Sequence, residues 1–226
     1  MYARYAIFYT PAPGSDLAVF GARWLGWDSA KGRTVAHPFA HGLDVRAITQ
    51  TPRRYGFHAT LKAPFHPAAG LIESDLIACV TDFAAAARVA PLNGLVQGYR
   101  SGFVALRPAG DTSEINRLAE TIVRDLDMLR APLSEADIAR RRRAGLTAKQ
   151  DAQMLDWGYP YIFDDFQFHM TLSGPLDEET ANRVIDSIAP HAARAIPDPL
   201  SMDAITLMGE DAAGQFHQIR RCSLTG

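Results

Sequence analysis

Phe57-His58-Ala59-Thr60-Leu61, with Pro64-Phe65 just downstream, returns later in the chain as Phe168-His169-Met170-Thr171-Leu172, with Pro175-Leu176. In each copy apolar residues hold alternate positions and polar ones fall between them, the period-two pattern of a half-buried strand. His58 therefore shares a strand face with Thr60, and His169 shares one with Thr171. One constant offset relates His58 to His169, Thr60 to Thr171, Leu61 to Leu172 and Pro64 to Pro175.

Working outward, the two copies have the same sequel. After the first, residues 73–88 read as a helix, and 92–97 and 103–106 as two strands joined through Gly98 and Gly102. After the second, Asp177 caps a helix to about residue 189, with Ala181, Val184, Ile185 and Ile188 on its apolar stripe. Strand-like runs follow at 200–208 and 216–224, split by Gly-Glu-Asp-Ala-Ala-Gly. Motif, helix, strand, turn and strand thus occur twice, which reads as internal duplication. The expected fold class is α+β: one bilobal, internally duplicated domain, with two antiparallel sheets and flanking helices around a central cleft that carries both H-x-T motifs. Each half is expected to form one lobe, the first over about 1–108 and the second over about 165–226, with a helical insert over about 109–164.

Within that insert, Asp111 and Glu114 resemble a capping box, and Ile115, Leu118, Ile122, Leu126 and Leu129 recur at helical spacing. A second helix starts near Ser134 and contains the run Arg140 to Arg143; a third runs from near Thr147 to Trp157. At the N-terminus, residues 2–9 read as a strand ending at Pro11-Ala12-Pro13-Gly14, and Ser15 or Asp16 caps a helix to about Leu25.

With 226 residues the chain is long enough to bury a sizeable core without staples. Its two cysteines, Cys79 and Cys222, form no C-x-x-C pair and read as apolar fillers. No basic leader region, cleavage site or long apolar span is seen, so neither secretion nor membrane insertion is expected and the cytoplasm is the default. A net charge of −2 argues against a general nucleic-acid coat protein. The four-arginine run could meet a polyanion, but no aromatic is interleaved with it as a stacking platform requires, and a solvated helix face is the reading taken. Pro38 between His37 and His41 spoils the i, i+4 helical geometry of a metal pair, so no metal site is assigned.

Two imidazoles facing one ligand divide acid/base labour near neutral pH, because an unperturbed pKa of about 6.5 lets one be neutral and the other charged. That pairing suits in-line displacement at phosphorus. Thr60 and Thr171 could donate hydroxyl hydrogen bonds to the non-bridging oxygens. No third ligand stands at zinc spacing, and no G-x-S-x-G elbow is present.

These residues resemble the two-histidine (2H) phosphoesterase superfamily, whose members carry two H-x-[TS] motifs on strands of a bilobal, duplicated α+β fold and include cyclic nucleotide phosphodiesterases and 2′,5′ RNA ligase-like proteins. Pro52-Arg53-Arg54-Tyr55-Gly56-Phe57-His58-Ala59-Thr60-Leu61-Lys62-Ala63-Pro64-Phe65 and Trp157-Gly158-Tyr159-Pro160-Tyr161 further resemble the bacterial branch encoded with phosphonate-utilisation genes. The resemblance implies a metal-independent, cofactor-free phosphoesterase acting on a cyclic phosphodiester or a small phosphate or phosphonate ester, with His58 and His169 as acid and base and Thr60 and Thr171 as phosphate holders. Around these, Lys62 is expected to extend the first catalytic face, Gly56 to leave room on it, and Tyr55, Arg53, Arg54 and Tyr161 to flank the ligand. An RNA-processing ligase or end-trimming phosphodiesterase is the alternative reading, and a non-catalytic nucleotide- or phosphonate-binding module the third. Nothing in the sequence speaks to oligomeric state.

Overall fold

The computed structural model describes residues 2–38, 40 and 42–226. The elements begin with β1 (Arg4–Tyr9), α1 (Asp16–Leu25), the short strands β2 (Trp27–Asp28) and β3 (Arg33–Thr34), the short helices α2 (Val45–Ile48) and α3 (Gln50–Arg53), and β4 (Ala59–Phe65). Next come α4 (Glu73–Ala86), β5 (Ala90–Pro91), β6 (Leu95–Arg100) and β7 (Phe103–Pro108). The insert supplies α5 (Ser113–Asp125), α6 (Glu135–Arg142) and α7 (Ala148–Trp157). β8 (Met170–Thr171), α8 (Glu178–Ala195), β9 (Ser201–Met202), β10 (Ala204–Glu210) and β11 (Phe216–Ser223) complete the chain.

Side chains set several of these limits. Ser15 Oγ accepts from the Ala18 amide to start α1, and left-handed Gly26 ends it. Thr147 and Gln150 form a reciprocal capping box at α7. The box expected of Asp111 and Glu114 is absent: Thr112 stands at the N-cap of α5, and the Asp111 carboxylate accepts from the amide and hydroxyl of Ser113 instead.

The strands form a four-stranded sheet in the order β11-β10-β1-β4 and a three-stranded sheet in the order β6-β7-β8. All the main pairings are antiparallel. This departs from one lobe per half. The first motif strand, β4, shares a sheet with the hairpin β10–β11 that follows the second motif. The second motif strand, β8, shares one with the hairpin β6–β7 that follows the first. Helix α4 packs on β10 and β11, and α8 on β6 and β7. The crossing segments are themselves tied together, through Ala90↔Met202 and Pro91↔Ser201 and through the Leu92 amide donating to the Leu200 carbonyl. Period-two patterning states which face of a strand is apolar but not which strand lies beside it, so the exchange was hidden.

One core cluster runs through both sheets, from Tyr5, Ile7, Leu207 and Val80 to Leu106, Met170, Val184 and Ile188. A second, small cluster of Ala6, Phe8, Met208 and Phe216 lies on the opposite face of the four-stranded sheet, with Tyr55 against it. β1 is thereby apolar on both faces. β4 and β8 are edge strands, and they lie beside each other where the two sheets meet. That seam brings the two motifs together.

Candidate active site

His58 and His169 sit one residue before β4 and β8 and are held alike. Each ring donates from Nδ1 to the carbonyl two residues back, His58 to Gly56 at 2.9 Å and His169 to Gln167 at 2.7 Å. A carbonyl only accepts, so the proton resides on Nδ1 in the neutral rings and Nε2 keeps its lone pair. His58 Nε2 lies 3.2 Å from Thr60 Oγ1, which donates to it. The ring of His58 stacks on Phe8 at 3.9 Å, with Tyr55 at 5.8 Å. His169 has Phe103 at 5.6 Å, and Arg107 lies over that phenyl ring.

Both imidazoles are drawn below the usual histidine pKa, chiefly because burial disfavours their charged form. For His58 the drop reaches about 4, the charge of His169 adding to it. Arg107 adds to the lowering at His169.

A cavity of about 360 Å³ opens on this seam, lined by His58, Thr60, Tyr55, Thr171 and Ser173. Arg4, Arg140, Arg141 and Tyr159 form the rest of its polar wall. His169 stands just outside that wall, close enough for its charge to act on His58. The short strand β8 is steadied just beyond its end: Trp24 Nε1, from outside the sheet, donates to the Leu172 carbonyl, and Ser173 Oγ accepts from the Val104 amide of β7.

Several expected contacts lie elsewhere. Lys62 does not extend the catalytic face; it is 5 % exposed, and its ammonium donates to the Val123 carbonyl at 3.2 Å and to Asp127 at 3.1 Å. The cause is the register of β4 on β1: Phe8 pairs with Thr60 and Ile7 with Lys62, so bulges interrupt the alternation and Leu61, Lys62 and Ala63 are buried in succession. Pro64, which has no amide to donate, lies in the same irregular stretch. Arg54 turns away to the Gly214 carbonyl and Glu210. Arg53 bonds the Leu25 and Arg46 carbonyls. Gly56 does not make room for a ligand: it has φ +72, and a Cβ there would meet Ser29. Tyr161 is 41 % exposed and packs edge-on against Tyr159. Tyr159 is the one that reaches the cavity, turned inward by left-handed Gly158 at the end of α7. His37 bonds the Trp24 carbonyl, and His41 lies outside the described residues. Arg4 belongs to no motif and went unnoticed in the sequence, and Arg141 was read with its neighbours as part of a solvated helix face.

A family model described as "Protein of unknown function (DUF1045)" matches residues 60–217. The chain belongs to this family. It is 38 % identical over 231 residues to a protein of Janthinobacterium sp. (strain Marseille) named ribose 1,5-bisphosphate phosphokinase PhnN, covering 99 % of this chain and 51 % of the relative. A protein of the same name from Laribacter hongkongensis (strain HLHK9) is 33 % identical over 218 residues, covering 96 % of this chain and 51 % of the relative. The chain thus spans about half the length of the curated relatives it matches. Among the described residues, no helix is long and apolar enough to cross a membrane.

Proposed function

We propose that the chain is a metal-independent phosphoesterase that opens a cyclic phosphodiester by paired-histidine acid/base chemistry. The observation that carries this reading is the matched anchoring of His58 and His169, each fixed through Nδ1 with the Nε2 lone pair of His58 met only by the Thr60 hydroxyl, on edge strands that meet at one cavity. His58, drawn to a pKa of about 4, is neutral at pH 7 and suits the general base. Water attacks phosphorus and gives its proton to His58 Nε2. The P–O bond opposite breaks in line, and the leaving oxygen takes a proton from His169 Nε2. An incoming phosphate anion raises the pKa of His169 by direct attraction, which favours the protonated acid. Thr171 donates to one non-bridging oxygen, and the Thr60 hydroxyl turns from His58 Nε2 to the other, which frees that nitrogen for the proton of water. Solvent then restores both rings.

The names of the relatives support a small ribose phosphate as the substrate class. A ribose 1,5-bisphosphate phosphokinase consumes a ribose phosphomonoester, and hydrolysis of a cyclic phosphate closed on the ribose C1 oxygen yields such a compound. This chain contains no Gly-Lys pair and hence no G-x-x-x-x-G-K-[ST] phosphate loop. We therefore assign the kinase chemistry of those relatives to their other half, and the step that supplies its substrate to this one. The resemblance to proteins encoded beside phosphonate-utilisation genes and the names of the relatives support a role in phosphonate metabolism. The RNA-processing alternative loses support, because Arg140 and Arg142 of the basic run pair with Asp137 and Asp151.

The test is a hydrolysis panel in EDTA with ribose cyclic phosphates, nucleoside 2′,3′-cyclic phosphates and small phosphonate esters. Wild-type turnover with a bell-shaped pH profile, removed by His58→Ala or His169→Ala, is expected. Turnover that EDTA abolishes and zinc restores would overturn the mechanism; binding without any turnover would favour a non-catalytic module.

A further inference from the structure

The four arginines of the insert have different surroundings. Arg140 pairs with Asp137, which Ser134 also holds. Arg142 makes two bonds to Asp151, at 2.7 and 2.8 Å. Arg143 is exposed. Arg141 alone combines a place on the wall of the histidine cavity with a fully shielded Nε that has no partner among the described residues. Its guanidinium carbon lies over the Tyr159 ring, 5.4 Å from the centroid.

The charges around it do not balance. Arg4, on the same wall, is matched by Glu210 through two bonds of 2.5 and 2.9 Å. Burial lowers the pKa of Arg141, with Arg140 and Arg4 adding to the lowering. A guanidinium still holds its proton in such a place, so the chain keeps a half-buried positive charge beside like charges, a costly arrangement unless an anion completes it. Tyr159, whose pKa burial pushes up to about 12, remains a neutral hydroxyl at working pH. A planar fork backed by an aromatic ring matches the oxygens of a phosphate monoester.

We propose that Arg141 is the centre of a second anion subsite in the same cavity, which selects substrates carrying a phosphate monoester besides the ester that is cleaved. The subsite rests on the phosphoesterase reading of the cleft and names its substrate more narrowly, as a sugar cyclic phosphate with a second, terminal phosphate. A cavity of about 360 Å³ lies within the usual range for small ligands. The insert thus supplies recognition, while the motif strands supply chemistry.

Calorimetric titration of ribose 5-phosphate, which has no cyclic ester, into the intact chain tests the subsite apart from turnover. Wild type and the control Arg142→Gln are expected to bind it alike; Arg141→Gln weakens binding at least about tenfold, with Arg141→Lys between, since it keeps the charge and loses the fork. Where Arg141→Gln fails to fold, Arg141→Lys carries the test. No binding by the wild type, or equal binding by Arg141→Gln, overturns the subsite and leaves the phosphoesterase reading untouched. In kinetics, the wild type is expected to prefer a ribose cyclic phosphate bearing a 5-phosphate over the one lacking it by at least about tenfold in kcat/KM. Arg141→Gln brings that ratio toward one; an unchanged ratio overturns the proposal.

Discussion

His58 precedes a strand of seven residues, laid against β1, which is buried at five of its six positions. His169 precedes a strand of two residues at the edge of a three-stranded sheet, held largely by Trp24 and by the bond between Ser173 and Val104. Both rings nevertheless reach the same local geometry, with Nδ1 on the carbonyl two residues back. The difference teaches that the H-x-T geometry is built by the backbone turn before the strand rather than by the length of the strand. What differs is the surroundings: a stacked phenyl at 3.9 Å under His58, and a tilted one at 5.6 Å near His169. The two motifs are equivalent in form and unequal in support.

The largest effect should come from the histidines themselves. His58→Ala and His169→Ala are each expected to lower kcat by roughly 10²–10⁴, measured on the substrate found in the panel with EDTA present. If they act as one unit, the double variant falls no further than the worse single one. Additive losses would break the pairing.

Next come the threonines. Thr60 bonds His58 as well as facing the cavity, whereas Thr171 has no such tie to His169 among the described residues. Thr60→Val is therefore expected to cost about 10² in kcat, and Thr171→Val about 10. The reverse order would mean that the phosphate is held from the β8 side.

Stability against pH sharpens the same contrast. His58 has its folded pKa depressed to about 4 from an ordinary 6.5, so the stability tied to its neutral form is whole above about pH 6.5 and is lost as the pH falls toward 4. The loss over that window is on the order of 3 kcal/mol. Denaturant titrations at several pH values should show it, and His58→Gln should flatten the curve. His169→Gln should act in the same direction.

The smallest change is expected at Lys62. Its partner Asp127 is also held by Arg130 at 2.7 Å, so Lys62→Met should alter stability by no more than about 1 kcal/mol. It should change KM by less than about twofold, because the ammonium points away from the cavity. A large rise in KM would return Lys62 to the ligand.

That last case marks where the sequence was readable and where it was not. Period-two spacing placed His58 with Thr60, and capping residues such as Ser15, Thr147 and Asp177 marked helix starts, because both signals are local. Lys62 was misplaced because bulges in β4 reset the alternation, and Pro64 was the one residue that hinted at irregularity. Tyr159 was passed over for Tyr161 because residues 158–169 follow no period; only the turn at Gly158 decides which ring faces inward. Arg141 could not be told from Arg140 and Arg142, since its distinction is the carboxylate it lacks. The hairpin exchange depends on pairings between distant parts of the chain, which no local pattern records.

The exchange has a bearing on synthesis. A ribosome delivers β4 long before β10 and β11, and β6–β7 long before β8, so neither sheet can close while the second half is still in the tunnel. The amides of Thr225 and Gly226 donate to the carbonyls of Ala84 and Ala87, reaching back to the helix that follows the first motif. A nascent or truncated chain therefore holds His58 and Phe8 without β10, β11 or the second motif. Truncation before β8 is thus expected to cost both sheets at once rather than a single lobe.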